Sequence, residues 1–322
     1  MPAMTTVTLP PFQDLGHGIT CIDTLQERAG LACCYLIQRG DDYAFIEAGT
    51  AHGVPRLLAL LDARRIPRER VRYVIPTHVH LDHAGGVGVL MRALPQAMLV
   101  AHPRGARHLI DPSKLIAGAS AVYGPEAVQQ MYGEIAPVPE SRVIVADDNA
   151  RLPMGDGELV FIDTPGHARH HFSIWDAQSR GFFTGDTFGL SYRDFDGPQG
   201  PFLFPTTTPV QFEPDAWMGT LDRYRSFQPQ RMYLTHYSVV ENVEKLAADL
   251  REGIQRYVAV GERLKSAPQR HEQLREALTQ DALAVLKAQR NPIAEARARE
   301  LLVFDMELNA QGLGVWLDRP AA

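Results

Sequence analysis

Residues 76–86, PTHVHLDHAGG, place His78, His80, Asp82 and His83 within six positions, directly after an apolar run and directly before two glycines. Imidazoles and a carboxylate at this density are the donor types that divalent metals of borderline softness prefer. Such donors need a rigid frame, and the run 73–76 reads as a strand that supplies one. On an extended segment the i, i+2 spacing turns His78 and His80 to the same side. If the chain then bends into a helix, Asp82 and His83 face a neighbouring second position. Gly85 and Gly86 permit a tight turn beside them. A solvated loop would carry these four residues at this spacing only rarely.

Two or three ligands cannot close a site, so partners are expected at other strand ends. Three fit: Thr164-Pro165-Gly166-His167, Thr184-Gly185-Asp186 and Thr235-His236. Each follows a strand candidate, and loops that leave a rigid sheet gather at one rim. The strand candidates are 18–23, 32–38, 43–47, 73–76, 98–101, 142–145, 159–163, 172–175, 181–184 and 231–234. Helical patterns cover 55–64, 85–94, 103–110, 125–132 and 214–226, several with Pro in the first turn, where its missing N–H costs nothing. Short strands alternating with helices predict sheets covered by helices. Beyond residue 240 the character changes to charged, Leu/Ala-rich helical stretches at 241–267, 271–289 and 292–309. The expected division is therefore a catalytic domain over 1–240 and a helical extension over 241–322. Residues 188–213 form a long stretch with Pro, Gly and aromatics but no period, which marks a functional loop.

HxHxDH followed by PGH, GD and a final His resembles the metallo-β-lactamase superfamily, over about residues 15–240. The segment 101–115, the stretch TPGHARHH and the helical tail are most similar to a poorly characterised prokaryotic branch of hydrolases, more distantly related to glyoxalase II and acyl-homoserine lactonases. The resemblance implies an α/β fold, a four-layer αβ/βα metallo-β-lactamase sandwich, here with a helical C-terminal extension. It also implies two divalent metal ions, zinc foremost with iron or manganese as alternatives. His78, His80 and His167 would take the first, Asp82, His83 and His236 the second, and Asp186 would bridge them. The implied reaction is hydrolysis of an ester, lactone or thioester by a metal-bridging hydroxide, with Asp82 as the proton carrier. One departure stands out. The family's third strand usually ends Asp-Thr-Gly, whereas here it reads Glu47-Ala48-Gly49, leaving Glu47 to orient a ligand from behind.

The rest of the sequence narrows the partners. The chain has 322 residues and a formal net charge of -6, which offers no general attraction for nucleic acid or an anionic membrane surface. No basic segment followed by an apolar run opens the chain, so a cytoplasmic location is expected. A small-molecule substrate and no nucleic-acid or membrane partner follow, with a homodimer as an open expectation. Three cysteines, Cys21, Cys33 and Cys34, form no disulfide framework, and adjacent strand positions turn Cys33 and Cys34 to opposite faces. Tyr192, Tyr237, Phe202 and Phe204 are candidates for the substrate wall, with core packing as the alternative. His102, Arg104 and His108 either border the pocket or cap a helix, and His170 and His171 stand behind the ligands. Competing functions are a persulfide dioxygenase-like oxidoreductase with mononuclear iron, a phosphodiesterase, and a binding protein without turnover. A secreted β-lactamase fits less well.

Overall fold

A computed structural model of the chain describes residues 9–207 and 210–320. They fall into two compact units, one drawn from 1–163 and 170–185, the other from 164–169 and 186–322.

The first unit is built on a seven-stranded sheet whose spatial order follows the chain: β1 (Phe12–Asp14), β2 (Ile19–Asp23), β3 (Cys33–Arg39), β4 (Asp42–Ile46), β5 (Val71–Ile75), β6 (Met98–Ala101) and β7 (Val143–Val145). Pairing is antiparallel from β1 to β4 and parallel from β4 to β7. Parallel neighbours need crossovers. These are α1 (Val54–Ala63), then α2 (Leu81–Ala84) with α3 (Val87–Ala93), then α4 (Ala106–Ile110), α5 (Ser113–Tyr123) and α6 (Pro125–Tyr132). A second, antiparallel set holds β8 (Arg151–Met154), β9 (Gly157–Asp163), β10 (Phe172–Asp176) and β11 (Gly181–Gly185).

The apolar pattern explains this layering. Cys34, Leu36, Phe45, Val74 and Leu99 share one core with Leu57, Leu60 and Leu61 of α1 and Leu90 and Met91 of α3. The intervening positions face the second set, where Tyr35 meets Phe183 edge-on at 5.2 Å. A strand buried on both faces reads as a continuous apolar run, which is why LACCYLIQ showed no alternation. Cys34 lies in the helix-side core, and burial, with Glu47 close by, pushes its thiol well up.

The second unit carries α7 (Pro214–Ser226), the hairpin β12 (Arg231–Leu234) and β13 (Ser238–Val240), and three long helices, α8 (Val243–Leu264), α9 (Arg270–Ala288) and α10 (Glu295–Leu317). The last helix runs eight residues past the expected end at Asn309. Gly312 and Gly314 oppose helix by propensity, but a Cβ at Gly312 would lie 2.1 Å from the Thr207 carbonyl oxygen. Packing therefore selects glycine there. Strands β1, β8 and β13 and helix α5 were not expected. β8 contains Pro153 and pairs only with β9, the edge position where proline is tolerated.

Between β3 and β10, Arg39 Nη2 and Asp176 Oδ1 form an ion pair at 2.6 Å, with side chains 2% and 1% exposed. Arg39 also donates to the His17 and Gln38 carbonyls, and Asp176 accepts from Ser179 N–H. Removing one partner strands a buried charge. Asp176→Ala should cost about 3–5 kcal/mol, read as a lower midpoint in urea. An unchanged midpoint would show that water reaches Arg39.

Candidate metal centre

In the first unit the His-rich segment leaves β5 and turns at once into α2, with His80 as its N-cap. Asp82 and His83 thus sit on a helical turn while His78 and His80 remain extended. A ring nitrogen of His78 lies within 4.8 Å of one on His80 and of one on His83, and an Asp82 oxygen lies within the same distance of His83. The nearest approach is His78 Nε2 to His80 Nδ1, 2.8 Å.

Glu47 controls the orientation of this group. Its side chain is buried, and its backbone has φ of 65°, a left-handed conformation uncommon for a residue with a Cβ. One carboxylate oxygen accepts the Thr77 hydroxyl at 2.6 Å and the other accepts Thr77 N–H at 3.0 Å. His83 Nδ1 stands 3.0 Å from Glu47 Oε1. A carboxylate only accepts, so Nδ1 carries the proton and His83 Nε2 presents a lone pair. That Nε2 is 3.5 Å from Asp82 Oδ2. The same logic reaches His78. The Thr77 hydroxyl has spent its only hydrogen on Glu47, so its oxygen accepts from His78 Nδ1–H at 3.1 Å, which leaves the lone pair on Nε2.

Beside these candidate ligands, the buried ring of His171 stacks on His78 at 4.9 Å, and His170 meets His80 edge-on at 5.5 Å. Gly185, with φ of 47°, is required here. A Cβ would lie 2.3 Å from Thr77 Oγ1 and 2.5 Å from His171 Nε2. His102 accepts Arg104 N–H at Nδ1, so its Nε2–H is the donor to Asp163, at 3.0 Å. His102 thus ties the turn ahead of α4 to the end of β9, while the N-cap Gly105 takes no side-chain hydrogen bond. His108 is partly buried, and burial together with Arg107 and Lys114 lowers its pKa. On α5 and α6, Tyr123 and Tyr132 have phenols raised by burial first and by the charge of Asp82 second.

The second unit supplies His167, Asp186 and His236. Asp186 turns one oxygen to each histidine: Oδ2 is 3.5 Å from His167 Nε2, and Oδ1 is 3.8 Å from His236 Nε2. His167 Nδ1 lies 3.0 Å from the Thr206 carbonyl, which fixes its proton on Nδ1 and a lone pair on Nε2. The Pro165-Gly166 turn is pinned to α7, because Thr220 donates to the Pro165 carbonyl and Glu213 N–H to that of Gly166. Gly166, at φ of 136°, would drive a Cβ to 2.5 Å from the Trp217 side chain. His236 directly follows β12, and its carbonyl accepts Ser191 N–H. Tyr192, Phe202 and Phe204 are buried and pack on one another, with ring centroids 5.8 Å apart for Tyr192 and Phe204 and 5.6 Å for Phe202 and Phe204.

Each unit therefore turns a histidine lone pair toward a carboxylate oxygen at 3.5 Å, with the ring's far nitrogen held by an acceptor. Two Lewis bases set face to face in this way fit a shared divalent cation, and holding the far N–H is how proteins orient imidazole ligands for one.

A family model, the metallo-beta-lactamase superfamily, matches residues 29–236. The chain belongs to that superfamily. Its fold is the expected α/β fold with a helical C-terminal region. The metallo-beta-lactamase fold-containing protein ST1585 of Sulfurisphaera tokodaii is 27% identical over 177 residues, 53% of this chain and 62% of its own length. The crystal structure of the ST1585 protein superposes with a TM-score of 0.65 at 23% identity, covering 92% of this chain and 98% of that one. An atrochrysone carboxyl ACP thioesterase of Aspergillus fumigatus is 25% identical over 212 residues, 66% of this chain and 52% of its own length. The matched stretches thus span about half to two thirds of these two relatives.

Sequence reasoning located the ligand candidates but missed Thr77 as a relay, Thr206 as an acceptor and Trp217 as a backstop. Only Thr77 carried a signal, through its place beside His78. Glu47→Gln keeps the shape but removes the charge that holds His83. Metal affinity should fall about 10–100-fold in chelator competition, with the fold retained by circular dichroism. Wild-type affinity would show that Glu47 serves the fold alone.

Proposed function

We propose that the chain is a metal-dependent hydrolase that opens an ester, lactone or thioester and uses two divalent ions, zinc foremost. His78, His80 and His167 would hold one ion, Asp82, His83 and His236 the other, with Asp186 shared. The observation that supports this most directly is the paired orientation of His83 and His167, each with Nε2 turned toward a carboxylate. Bound divalent ions supply two things to such chemistry, polarisation of the substrate carbonyl and a water acidic enough to ionise near neutral pH. Asp82 takes the proton of the attacking water and passes it to the leaving oxygen or sulfur as the acyl bond breaks. Its side chain is 29% exposed, so a substrate can reach it.

The thioester option gains support from the name of the Aspergillus relative. The 188–213 loop, which follows Asp186, would govern substrate choice, and Tyr192, Phe202 and Phe204 would shape that wall through their mutual packing. The net charge of -6 favours a small-molecule substrate over nucleic acid or a membrane surface. Among the described residues no helix is long and apolar enough to cross a membrane. A cytoplasmic location belongs to the same proposal.

Metal analysis, turnover and one variant test it. Protein purified without chelator should carry close to two ions per chain and hydrolyse members of a lactone and thioester panel without oxygen. Exhaustive chelation should abolish turnover. Asp82→Asn should lower kcat by about 10²–10⁴-fold while retaining part of the metal. Activity that survives chelation ends the metal mechanism, and a near-wild-type kcat removes Asp82 from proton transfer. One iron per chain, with oxygen uptake in the presence of a persulfide, would favour the oxidoreductase reading instead.

A further inference from the structure

The C-terminal helix α10 carries one fully buried polar side chain that reaches the loop beside His167. Asn309 is 0% exposed. Its Oδ1 accepts Thr207 N–H at 2.6 Å, and its Nδ2 donates to the Pro205 carbonyl at 3.2 Å. Its backbone carbonyl accepts the Thr207 hydroxyl at 2.9 Å. One amide thus grips the chain on both sides of Thr206, as a neighbouring β-strand would.

The consequence follows from peptide geometry. The Thr206 carbonyl and the Thr207 N–H belong to one planar trans unit and point in opposite directions. Holding the N–H therefore aims the carbonyl, and that carbonyl is what receives His167 Nδ1–H. We propose that Asn309 is a positioning residue for His167: through the 206–207 peptide plane it fixes the ring's tautomer and direction, so that Nε2 faces Asp186. The neighbouring packing serves the same plane. Gly312 admits the Thr207 carbonyl where any side chain would collide, and Gly253 of α8 leaves room for Pro205, with a Cβ at 3.2 Å from its ring. The helical extension thereby becomes part of the ligand's support.

The inference rests on the reading of His167 as a metal ligand, and two measurements keep the two claims apart. In metal-free protein labelled with ¹⁵N-histidine, His167 should show the Nδ1–H tautomer, and Asn309→Ala should convert it to a mixture of tautomers. In chelator competition with zinc, Asn309→Ala should weaken binding of the His167 ion by about 10–100-fold, the usual effect of removing support behind a ligand. The control is Arg319→Ala. Arg319 donates to the Phe212 and Val210 carbonyls, so this variant loosens another part of the same loop while leaving the 206–207 peptide gripped. It should retain both the tautomer and the affinity. Should Asn309→Ala fail to fold, Asn309→Ser, with a shorter acceptor, gives the same comparison at smaller amplitude. An unchanged His167 tautomer in either Asn309 variant overturns the proposal, as does an Arg319→Ala effect of equal size. If the wild-type protein binds no zinc while its tautomer still responds to Asn309, the coupling stands and the metal reading falls.

Discussion

The buried carboxylate of Glu47 is the interaction on which the first unit's site depends. Leaving an ionised group inside a protein is costly unless hydrogen bonds repay it. Three donors converge on this one, two from Thr77 and one from His83. The arrangement ties the end of β4 to the end of β5 and to α2. It also propagates. Because the Thr77 hydroxyl gives its only hydrogen to Glu47, its oxygen can only accept from His78. A single anion thereby sets the tautomers of two histidines, one directly and one through a hydroxyl. The positive φ at Glu47 is a local cost that these bonds offset.

The second unit meets the same requirement with a neutral acceptor. His167 is held by a backbone carbonyl rather than a carboxylate. A carbonyl at the end of a strand inherits the sheet's rigidity, but Thr206 lies in a long loop and must be held by something else. Asn309 supplies that hold from a residue more than a hundred positions away in the chain. The two units therefore differ in where the rigidity originates. In the first it is the sheet; in the second it is a helix added after the hairpin.

This difference accounts for what the sequence revealed. Histidines and aspartates able to bind a cation are chemically conspicuous, and four of them lie within six residues, so their spacing carried the signal. Glu47 was visible as a departure from the family's Asp-Thr-Gly. Thr206, Asn309 and Trp217 were not visible, because they act through a carbonyl, an amide and a shape that every protein contains. Strand positions such as 98–101 and 231–234 were legible as short, mostly apolar runs bounded by turn residues. The end of α10 was not, since glycine at 312 opposes helix by propensity and is favoured there only by the Thr207 carbonyl beside it. The aromatics of 188–213 looked like a wall facing substrate. Core packing was the alternative, and their burial and contacts with one another show that packing.

A loop of this length would ordinarily be expensive to order, because each fixed residue costs about 1–2 kcal/mol of backbone entropy. Two devices reduce that cost here. Tyr192, Phe195, Phe202 and Phe204 bury apolar surface within the loop itself. The tail then supplies polar partners at intervals, with Asn291 on the Phe195 carbonyl, Asp305 on the Tyr192 hydroxyl, Asn309 on Pro205 and Thr207, and Arg319 on Val210 and Phe212. From Asp305 onward the two advance in step, 305 with 192, 309 with 205 and 207, and 319 with 212 and 210, while Asn291 meets Phe195 ahead of them. A tail that merely covered apolar surface would need no such register of polar contacts. Matching backbone groups along the loop defines where each lies, and the one that receives His167 Nδ1–H, the Thr206 carbonyl, sits between two that Asn309 grips.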